Sequence, residues 1–275
     1  MTGLWRGSRA VRRTVRILFP IFCGYAVLTL MGVLFVNRFI FQPHPPTYAD
    51  TADMLKLPTV DGAQITALHL PNPAARFTIL FSHGNAEDLG DILPFLKEMQ
   101  AAGFAVFAYD YHGYGTSGGR PSERNAYHDI DASYAHLTRT VGLPPRRIIV
   151  HGRSLGAAVA VDLAAREPVG GLVIESGFVS AFRVVTHWPL LPGDKFRNLD
   201  KIARVRCPVL VIHGRNDRLI RFWHGERLFA RAQTPKRCLW VDGAGHNDVR
   251  LVAGEVYWQA LREFAELVHK TQDKS

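Results

Sequence analysis

One serine in the sequence has the flanking residues that a nucleophilic serine requires. Ser154 lies in the pentapeptide Gly152-Arg153-Ser154-Leu155-Gly156, which follows the apolar run RIIVH and precedes the small-residue stretch AAVAVDLAA. A strand, a sharp turn and a helix form a nucleophile elbow, in which the turn projects the hydroxyl at the end of the strand. The pattern G-x-S-x-G alone is a weak signal. Its setting between an apolar strand and a helix predicts that Ser154 is a nucleophile.

A serine hydroxyl is a poor nucleophile at neutral pH and needs a base to accept its proton. Among the twelve histidines, His246 has the best placement for this role, in the glycine-rich segment WVDGAGHND that follows the last apolar strand. A loop at that point can reach back over the sheet toward Ser154. We therefore expect His246 to be the general base.

The imidazole of a base needs a carboxylate to fix its tautomer and to stabilise the imidazolium. Asp217 follows a strand end in VLVIHGRND, and the chain order serine, acid, histidine is one in which such triads occur. Glu175, which ends the strand in LVIESGF, is the alternative acid. Asp110, in VFAYDYHGYG, is expected instead to hold its own glycine-rich loop through backbone hydrogen bonds. The sequence favours Asp217 and leaves Glu175 open.

The alkoxide formed during acyl transfer needs hydrogen-bond donors that are already in position. One predicted donor is the Leu155 N–H, at the N-terminus of the elbow helix, where the helix dipole also favours negative charge. The other is the Asn85 N–H in ILFSHGNAEDLG, after the first predicted parallel strand. We expect His83 and Gly84 to shape that turn.

These residues lie on a regular alternation of strand and helix patterns. Eight short apolar runs are predicted strands, and five longer segments have helical periodicity. The strands are 54–60, 64–70, 77–82, 105–109, 148–151, 171–175, 208–213 and 238–241; the helices are 86–102, 122–141, 154–166, 222–232 and 254–270. Such alternation predicts an α/β fold with a mostly parallel sheet. The Asp61-Gly62 turn predicts that the first two strands form an antiparallel hairpin.

The positive charge of the chain is concentrated at its N-terminus. Residues 1–41 contain six arginines and no acidic residue, and so account for most of the net charge of +9. This distribution argues against a nucleic-acid groove in the rest of the chain. Residues 17–36 carry no charge and could cross the hydrocarbon core of a bilayer as a helix.

Residues 1–41 are therefore predicted to be an arginine-rich tail with a transmembrane signal anchor, residues 42–52 a proline-rich linker, and residues 53–275 the catalytic domain. Because five arginines precede the apolar run and one closely follows it, the positive-inside rule predicts a single-pass protein with a cytoplasmic N-terminus. The catalytic domain is then expected on the non-cytoplasmic side. Cys207 directly precedes one predicted strand and Cys238 begins another, and the sequence leaves open whether they form a disulfide. No metal or organic cofactor is implied, since neither a ligand cluster nor a phosphate-binding loop is evident.

Five motifs in order resemble those of one group of α/β hydrolases. They are SHGNAEDLG, YDYHGYGTSGGRPSERNAYHDIDASY, GRSLGAAVAVDLA, PVLVIHGRND and LWVDGAGHND, and the resemblance covers about residues 53–270. The group contains eukaryotic protein depalmitoylases and their single-pass membrane relatives. The resemblance implies the α/β-hydrolase fold, an eight-stranded, mostly parallel sheet with flanking helices and a small lid, here preceded by one transmembrane helix. It also implies the roles given above to Ser154, Asp217, His246, Asn85 and Leu155.

The depalmitoylases attach to the cytosolic face of membranes through acylated N-terminal cysteines, whereas this chain has an apolar run with Cys23 as its single N-terminal cysteine. Only about thirty residues lie between Glu175 and Pro208, where lids of this fold insert. We therefore expect a small lid and a shallow site for an acyl ester or thioester, on a lipid or a protein. Phe178, Phe182, Trp188 and Leu190 are candidates to line an acyl groove, or alternatively to pack a short lid helix.

Two other functions remain open from sequence. A serine peptidase of the same fold would need acidic residues near the cleft to bind a free amine, and Glu87 and Asp88 are the nearby candidates. A membrane scaffold without catalysis would retain the fold, but the intact set of three candidate residues argues against it. The oligomeric state is not indicated by the sequence.

Overall fold

The structure is a computed structural model that describes residues 9–186, 193–233 and 235–273. Its helices and strands alternate along the chain after one long N-terminal helix. The helices are Arg9–Ile40 (α1), Leu89–Ala101 (α2), Glu123–Ala135 (α3), Leu155–Arg166 (α4), Ala181–Thr186 (α5), Asn198–Lys201 (α6), Trp223–Arg231 (α7), Val249–Ala253 (α8) and Glu255–Gln272 (α9). The strands are Met54–Pro58 (β1), Gln64–Leu70 (β2), Thr78–Ser82 (β3), Ala105–Tyr109 (β4), Ile148–Arg153 (β5), Gly171–Glu175 (β6), Val209–Gly214 (β7) and Lys236–Val241 (β8).

All eight strands belong to one sheet, in the order β1-β2-β4-β3-β5-β6-β7-β8. β1 pairs with β2 and β2 with β4 in antiparallel register, and every other neighbouring pair is parallel. The predicted mostly parallel sheet and its antiparallel edge hairpin are thus confirmed. Since the carboxyl ends of parallel strands meet at one edge, the loops after β3, β5, β7 and β8 come together there.

The sheet has a hydrophobic layer on each face, which explains why its central strands are apolar throughout. One layer packs residues of α3, α4 and α7 against the sheet, and the other packs residues of α2, α8 and α9. All five residues of β3, β4 and β6 are buried. Parallel strands covered on both faces are apolar along their length, and their carboxyl ends lie at the one edge where the loops meet.

Two helices begin or end away from their predicted positions for local reasons. α2 begins at Leu89 instead of residue 86, because Asp88 is its N-cap and forms a capping box with Asp91. The predicted helix 122–141 is α3 followed by a π-helical turn, His136–Thr140. Residues 86–88 are consequently part of the loop that follows β3.

The region of the predicted lid contains the short helices α5 and α6 between β6 and β7. Residues 187–192 of this region lie outside the described residues. Cys207 and Cys238, whose pairing the sequence left open, are free thiols. Burial raises the pKa of the Cys207 thiol to about 12.

The predicted anchor segment is helical within α1, but its role as a membrane span is not confirmed. Among the described residues, no helix is long and apolar enough to cross a membrane. The side chains at positions 26, 28 and 30–34 of the predicted span lie outside the described set. Residues 42–52, predicted to be a linker, form hydrogen bonds with the domain that are described below.

Candidate active site

Ser154 occupies a sharp turn between β5 and α4. Its backbone has φ 54° and ψ −112°, in a region that residues with a Cβ rarely adopt and that costs on the order of 1–3 kcal/mol. The turn is held by the Ser154 N–H, which donates to the Glu175 carbonyl at 2.9 Å. A Cβ at Gly152 would overlap the Gly156 carbonyl, and one at Gly156 would overlap the Ser82 carbonyl. Both glycines of the motif are therefore needed for the close approach of helix to strand.

The side chains of Ser154, His246 and Asp217 form one hydrogen-bonded chain. The Nε2 of His246 lies 3.0 Å from the Oγ of Ser154, and its Nδ1 lies 2.7 Å from the Oδ2 of Asp217. These residues are 92 and 29 positions apart in sequence and meet at the carboxyl edge of the sheet. With Nδ1 donating to Asp217, the Nε2 lone pair faces the serine hydroxyl and can accept its proton.

Asp217 is held by more than the histidine. Its Oδ1 accepts the backbone N–H groups of Leu219 and Ile220 at 2.9 and 2.7 Å. Burial alone would raise the pKa of this carboxyl, but hydrogen bonds from His213, His246 and the Ile220 N–H outweigh it and hold the pKa well below its ordinary value. Asp217 therefore stays ionised at neutral pH.

The two alternative carboxylates have other partners. Glu175 is buried and accepts hydrogen bonds from His151 Nε2 at 3.0 Å and the Tyr257 hydroxyl at 2.6 Å. Burial opposes the charge of Glu175, but the bond from His151 lowers its pKa. Within the described chain, Glu175 makes no hydrogen bond to His246.

Asp110 accepts the Leu89 N–H at 2.9 Å and the Tyr48 hydroxyl. The carboxylate of Asp110 thus joins separate segments of the chain, whereas the sequence predicts that it holds its own loop.

The loop after β3, residues 83–88, approaches the serine. A Cβ at Gly84 would lie 3.7 Å from the Cβ of Ser154. Leu155 is the first residue of α4, next to Ser154, and Asn85 follows Gly84 in the loop. Among the residues that the structure describes, neither the Leu155 nor the Asn85 N–H donates to another protein group.

A salt bridge ties this loop to the elbow. Arg153, the residue before the serine, pairs with the Oε1 of Glu87, whose Oε2 accepts the Gly84 N–H at 2.9 Å. Burial opposes the charge of Glu87, but Arg153 beside it lowers its pKa. Glu87 therefore carries a charge that is already neutralised by a partner.

The four residues predicted to line an acyl groove do not form one described surface. Phe178 is 5% exposed and packs in the core, with its ring 6.3 Å from that of Phe196. This placement favours packing over groove lining for Phe178, the alternative that the sequence left open. Phe182 is partly buried at the start of α5. Trp188 and Leu190 lie outside the described residues.

One group of side chains in the described part of the chain has the spacing of metal ligands: His44, Asp88 and Asp91. The oxygens of Asp88 are already used, since they accept hydrogen bonds from Thr47 and from the N–H groups of Gly90 and Asp91. We therefore interpret this group as a contact between segments and assign no metal to it.

Three contacts that shape the site were not among those predicted from the sequence. His213 is buried in β7, with its Nε2 2.8 Å from the Ile220 carbonyl and 3.4 Å from Asp217 Oδ2. The other two are the Arg153–Glu87 pair and a hydrogen bond from the Gln42 N–H to the Asn85 side chain. The motif HGRND contains His213, but its spacing alone does not show that the ring turns toward the acid.

Comparison with known proteins places the chain among hydrolases. Residues 73–191 match a hydrolase family described as serine aminopeptidase, S33. The chain is 45% identical over 206 residues to the α/β hydrolase domain-containing protein aho-3 of Caenorhabditis elegans, matching 72% of this chain and 60% of that protein. It is 44% identical over 204 residues to α/β hydrolase domain-containing protein 17B of Xenopus laevis, with 72% and 69% covered, and 42% identical to the human 17B protein, with 72% and 70% covered.

Solved structures show the same fold at low sequence identity. The esterase Pf2001 of Pyrococcus furiosus superposes with a TM-score of 0.67 at 20% identity, covering 82% of this chain and 98% of the esterase. In sequence, this chain spans 60% of the length of the Caenorhabditis relative and about 70% of the length of the 17B proteins. On the strength of the 17B matches and the eight-stranded sheet, the chain belongs to the α/β-hydrolase superfamily, in the family of the α/β hydrolase domain-containing proteins 17.

Proposed function

We propose that this chain is a serine hydrolase that cleaves carboxylic esters or thioesters, with Ser154 as nucleophile, His246 as base and Asp217 as acid. The observation that carries the proposal is the continuous hydrogen-bonded chain from Ser154 Oγ to His246 to Asp217, at 3.0 and 2.7 Å. A scaffold without catalysis has no need for this alignment or for the strained backbone of Ser154.

In the first half of the reaction, Ser154 Oγ attacks the carbonyl carbon as its proton passes to His246 Nε2. The resulting oxyanion is stabilised by the N–H groups of Leu155 and Asn85. Collapse of the tetrahedral intermediate breaks the ester or thioester bond, and the histidine returns the proton to the leaving alcohol or thiol. The acyl group is then bound to the serine oxygen.

In the second half, a water molecule replaces the alcohol. His246 takes one proton from the water as the water oxygen attacks the acyl carbonyl carbon. The Ser154 oxygen is the leaving group and receives the proton that the histidine returns. The products are the free acid and the original enzyme. Asp217 stays ionised throughout and stabilises the imidazolium in each half.

An acyl substrate, on a lipid or on a protein, fits the site better than a peptide with a free amine. An aminopeptidase needs a carboxylate available to bind the substrate ammonium group, and the sequence offers Glu87 and Asp88, in the loop after β3, as candidates. Glu87 pairs with Arg153, and Asp88 caps α2 while accepting hydrogen bonds from Thr47. The match to a family described as serine aminopeptidase is the reason to keep a peptidase as the second candidate.

A substrate panel distinguishes these two candidates. We expect medium-chain esters and acyl thioesters to be hydrolysed at least about 100-fold faster than aminoacyl-peptide amides. The two candidate carboxylates, Glu87 and Asp88, already have partners, and amides have poorer leaving groups. The measurement is kcat/KM for p-nitrophenyl esters, acyl thioesters and aminoacyl nitroanilides on the full chain. Faster cleavage of the aminoacyl substrates would make the enzyme a peptidase.

We also propose that the N-terminal segment attaches the enzyme to a membrane. The support is the uncharged run of residues 17–36 together with the exposure of apolar side chains along α1, among them Phe19, Phe22 and Phe39. Contiguous exposed apolar surface of this kind marks a contact with lipid or protein. The arginines before the run favour a cytoplasmic N-terminus and a catalytic domain on the opposite side.

Extraction and a topology reporter test this attachment. The full chain is expected to remain with membranes in alkaline carbonate and to dissolve in detergent, because apolar burial does not depend on charge. A reporter that is active only outside the cytoplasm, fused to the C-terminus, should be active. Release by carbonate would contradict anchoring, and an inactive but folded reporter would place the catalytic domain in the cytoplasm.

A further inference from the structure

The segment that follows α1 is packed against the catalytic domain. Its residues 41–48, here called the N-terminal arm, begin with Phe41, which is 3% exposed and has its ring 6.0 Å from that of Phe196. The sequence suggested a proline-rich spacer at this position, yet the arm makes side-chain and backbone contacts with the loop after β3. That loop, residues 83–88, contains Asn85 and lies beside Ser154.

The first contact fixes the side chain of Asn85. Its Oδ1 accepts the backbone N–H of Gln42 at 2.8 Å and the hydroxyl of Tyr114 at 2.7 Å. The Gln42 N–H is also 3.0 Å from the Tyr114 oxygen, so the three groups form a closed cluster. Tyr114 is buried, which gives the cluster a rigid support from the core.

The second set of contacts fixes the other end of the same loop. The Thr47 N–H donates to Asp88 Oδ2 at 2.7 Å, and the Thr47 hydroxyl also bonds to Asp88. Just beyond the loop, His44 Nε2 lies 3.0 Å from Asp91 Oδ2. The loop is therefore held by the arm at both Asn85 and Asp88.

Between these two points the backbone is strained. Ala86 has φ 55°, a left-handed conformation that is unfavourable for a residue with a Cβ and persists only where surrounding contacts determine it. The arm binds Asn85, which directly precedes Ala86, and Asp88, which lies two residues after it. We expect that without those bonds the loop relaxes and the orientation of the Asn85 N–H changes.

We propose that the N-terminal arm is a positioning element of the active site, which holds the Asn85 N–H in the orientation that stabilises the oxyanion. This inference rests on the proposed function of Ser154 and extends it to residues that touch neither the serine nor the substrate. It couples the segment that leaves α1 to the rate of acyl transfer. Gln42 acts through its backbone N–H and Tyr114 through its hydroxyl.

The test uses full-length variants that remove one bond at a time. Gln42→Pro removes the N–H donor, and Gln42→Ala is the matched control, because it keeps that N–H and changes only the side chain. Tyr114→Phe and Asn85→Ala weaken the same cluster from its other members, and both variants keep a backbone N–H at position 85. The measurements are kcat and KM for a short-chain p-nitrophenyl ester, the inhibition constant of an alkyl boronic acid and the melting temperature.

For Gln42→Pro, Tyr114→Phe and Asn85→Ala we expect kcat to fall by about 10-fold, part of the 10²–10³-fold that loss of a whole oxyanion donor costs. KM should change by less than about two-fold. The boronic acid, whose tetrahedral adduct carries an oxygen in the oxyanion position, should bind more weakly by the same factor as kcat/KM falls. Gln42→Ala should match wild type in all three quantities.

Unchanged kcat in Gln42→Pro and in Asn85→Ala would overturn the proposal. The proposal would also be overturned if kcat fell only in proportion to the loss of melting temperature and the folded protein bound the boronic acid as tightly as wild type. If Gln42→Pro fails to fold, Tyr114→Phe and Asn85→Ala decide the question alone. A wild-type chain that neither hydrolyses esters nor reacts with a fluorophosphonate would instead refute the proposed function, and with it this inference.

Discussion

Replacement of Ser154 by alanine is expected to abolish labelling by a fluorophosphonate probe and to lower ester turnover by up to about 10⁶-fold, the size of effect found for other triad serines. The Ser154 oxygen is the atom that would form the acyl-enzyme, and it belongs to the hydroxyl that lies 3.0 Å from His246 Nε2. The measurement is probe labelling together with kcat on a medium-chain ester, for wild type and Ser154→Ala in parallel.

The melting temperature provides the control for this variant. Ser154 makes no side-chain bond in the described structure other than that to His246, so the alanine variant should unfold within a few degrees of wild type. Retained labelling in folded Ser154→Ala, or ester turnover within about 10-fold of wild type, would exclude this serine as the nucleophile.

The second large effect is expected for Asp217→Asn, which should lower kcat by about 10⁴-fold, as loss of the triad carboxylate does elsewhere. An amide in place of the carboxylate permits the wrong histidine tautomer and no longer stabilises the imidazolium. KM should change little, because the buried carboxylate does not contact the substrate. The matched variant is Glu175→Gln, which changes the alternative acid in the same way.

Glu175→Gln is expected to affect stability more than chemistry. Glu175 accepts hydrogen bonds from His151 and Tyr257, and loss of its charge weakens those buried bonds. The bond that His246 donates to Asp217 remains. A lower melting temperature with kcat within about 10-fold of wild type is the expected result. If Glu175→Gln instead caused the larger loss of kcat in folded protein, the acid role would pass to Glu175.

Much of the fold could be predicted from sequence because it is local or periodic. The apolar runs are strands because both faces of the sheet are covered, and the Asp61-Gly62 turn joins the one hairpin at its edge. The elbow could be recognised at Gly152 and Gly156, since only glycine permits the contacts that these positions make. Such features are determined within a few residues of the motif that reveals them.

The remaining features depend on contacts between distant segments. Asn85 and Gln42 are 43 positions apart, and Arg153 and Glu87 are 66 apart. No periodicity relates such residues, so the sequence does not reveal that the arm contacts the domain or that Glu87, a candidate to bind an amine, pairs with Arg153. The two roles open for Phe178 could not be separated for a similar reason, because an aromatic residue after a strand has the same pattern whether it faces the core or a cleft.

The prediction of a membrane anchor rests on the composition of residues 17–36 and not on contacts between residues. A run of uncharged residues predicts an apolar environment, and the carbonate extraction and the C-terminal reporter test the proposed anchoring. The proposed chemistry of Ser154, Asp217 and His246 does not depend on that result, because these residues lie in the turn and loops that follow β5, β7 and β8 of the same sheet.

Peptide mapping of the covalent adduct tests the central claim most directly. Wild-type protein is treated with a fluorophosphonate, digested and analysed by mass spectrometry to locate the modified residue. The account predicts one adduct per chain, on Ser154, and its disappearance when His246 is replaced by alanine, because the hydroxyl then has no base. An adduct on another residue, or none in protein that hydrolyses esters, would contradict the account.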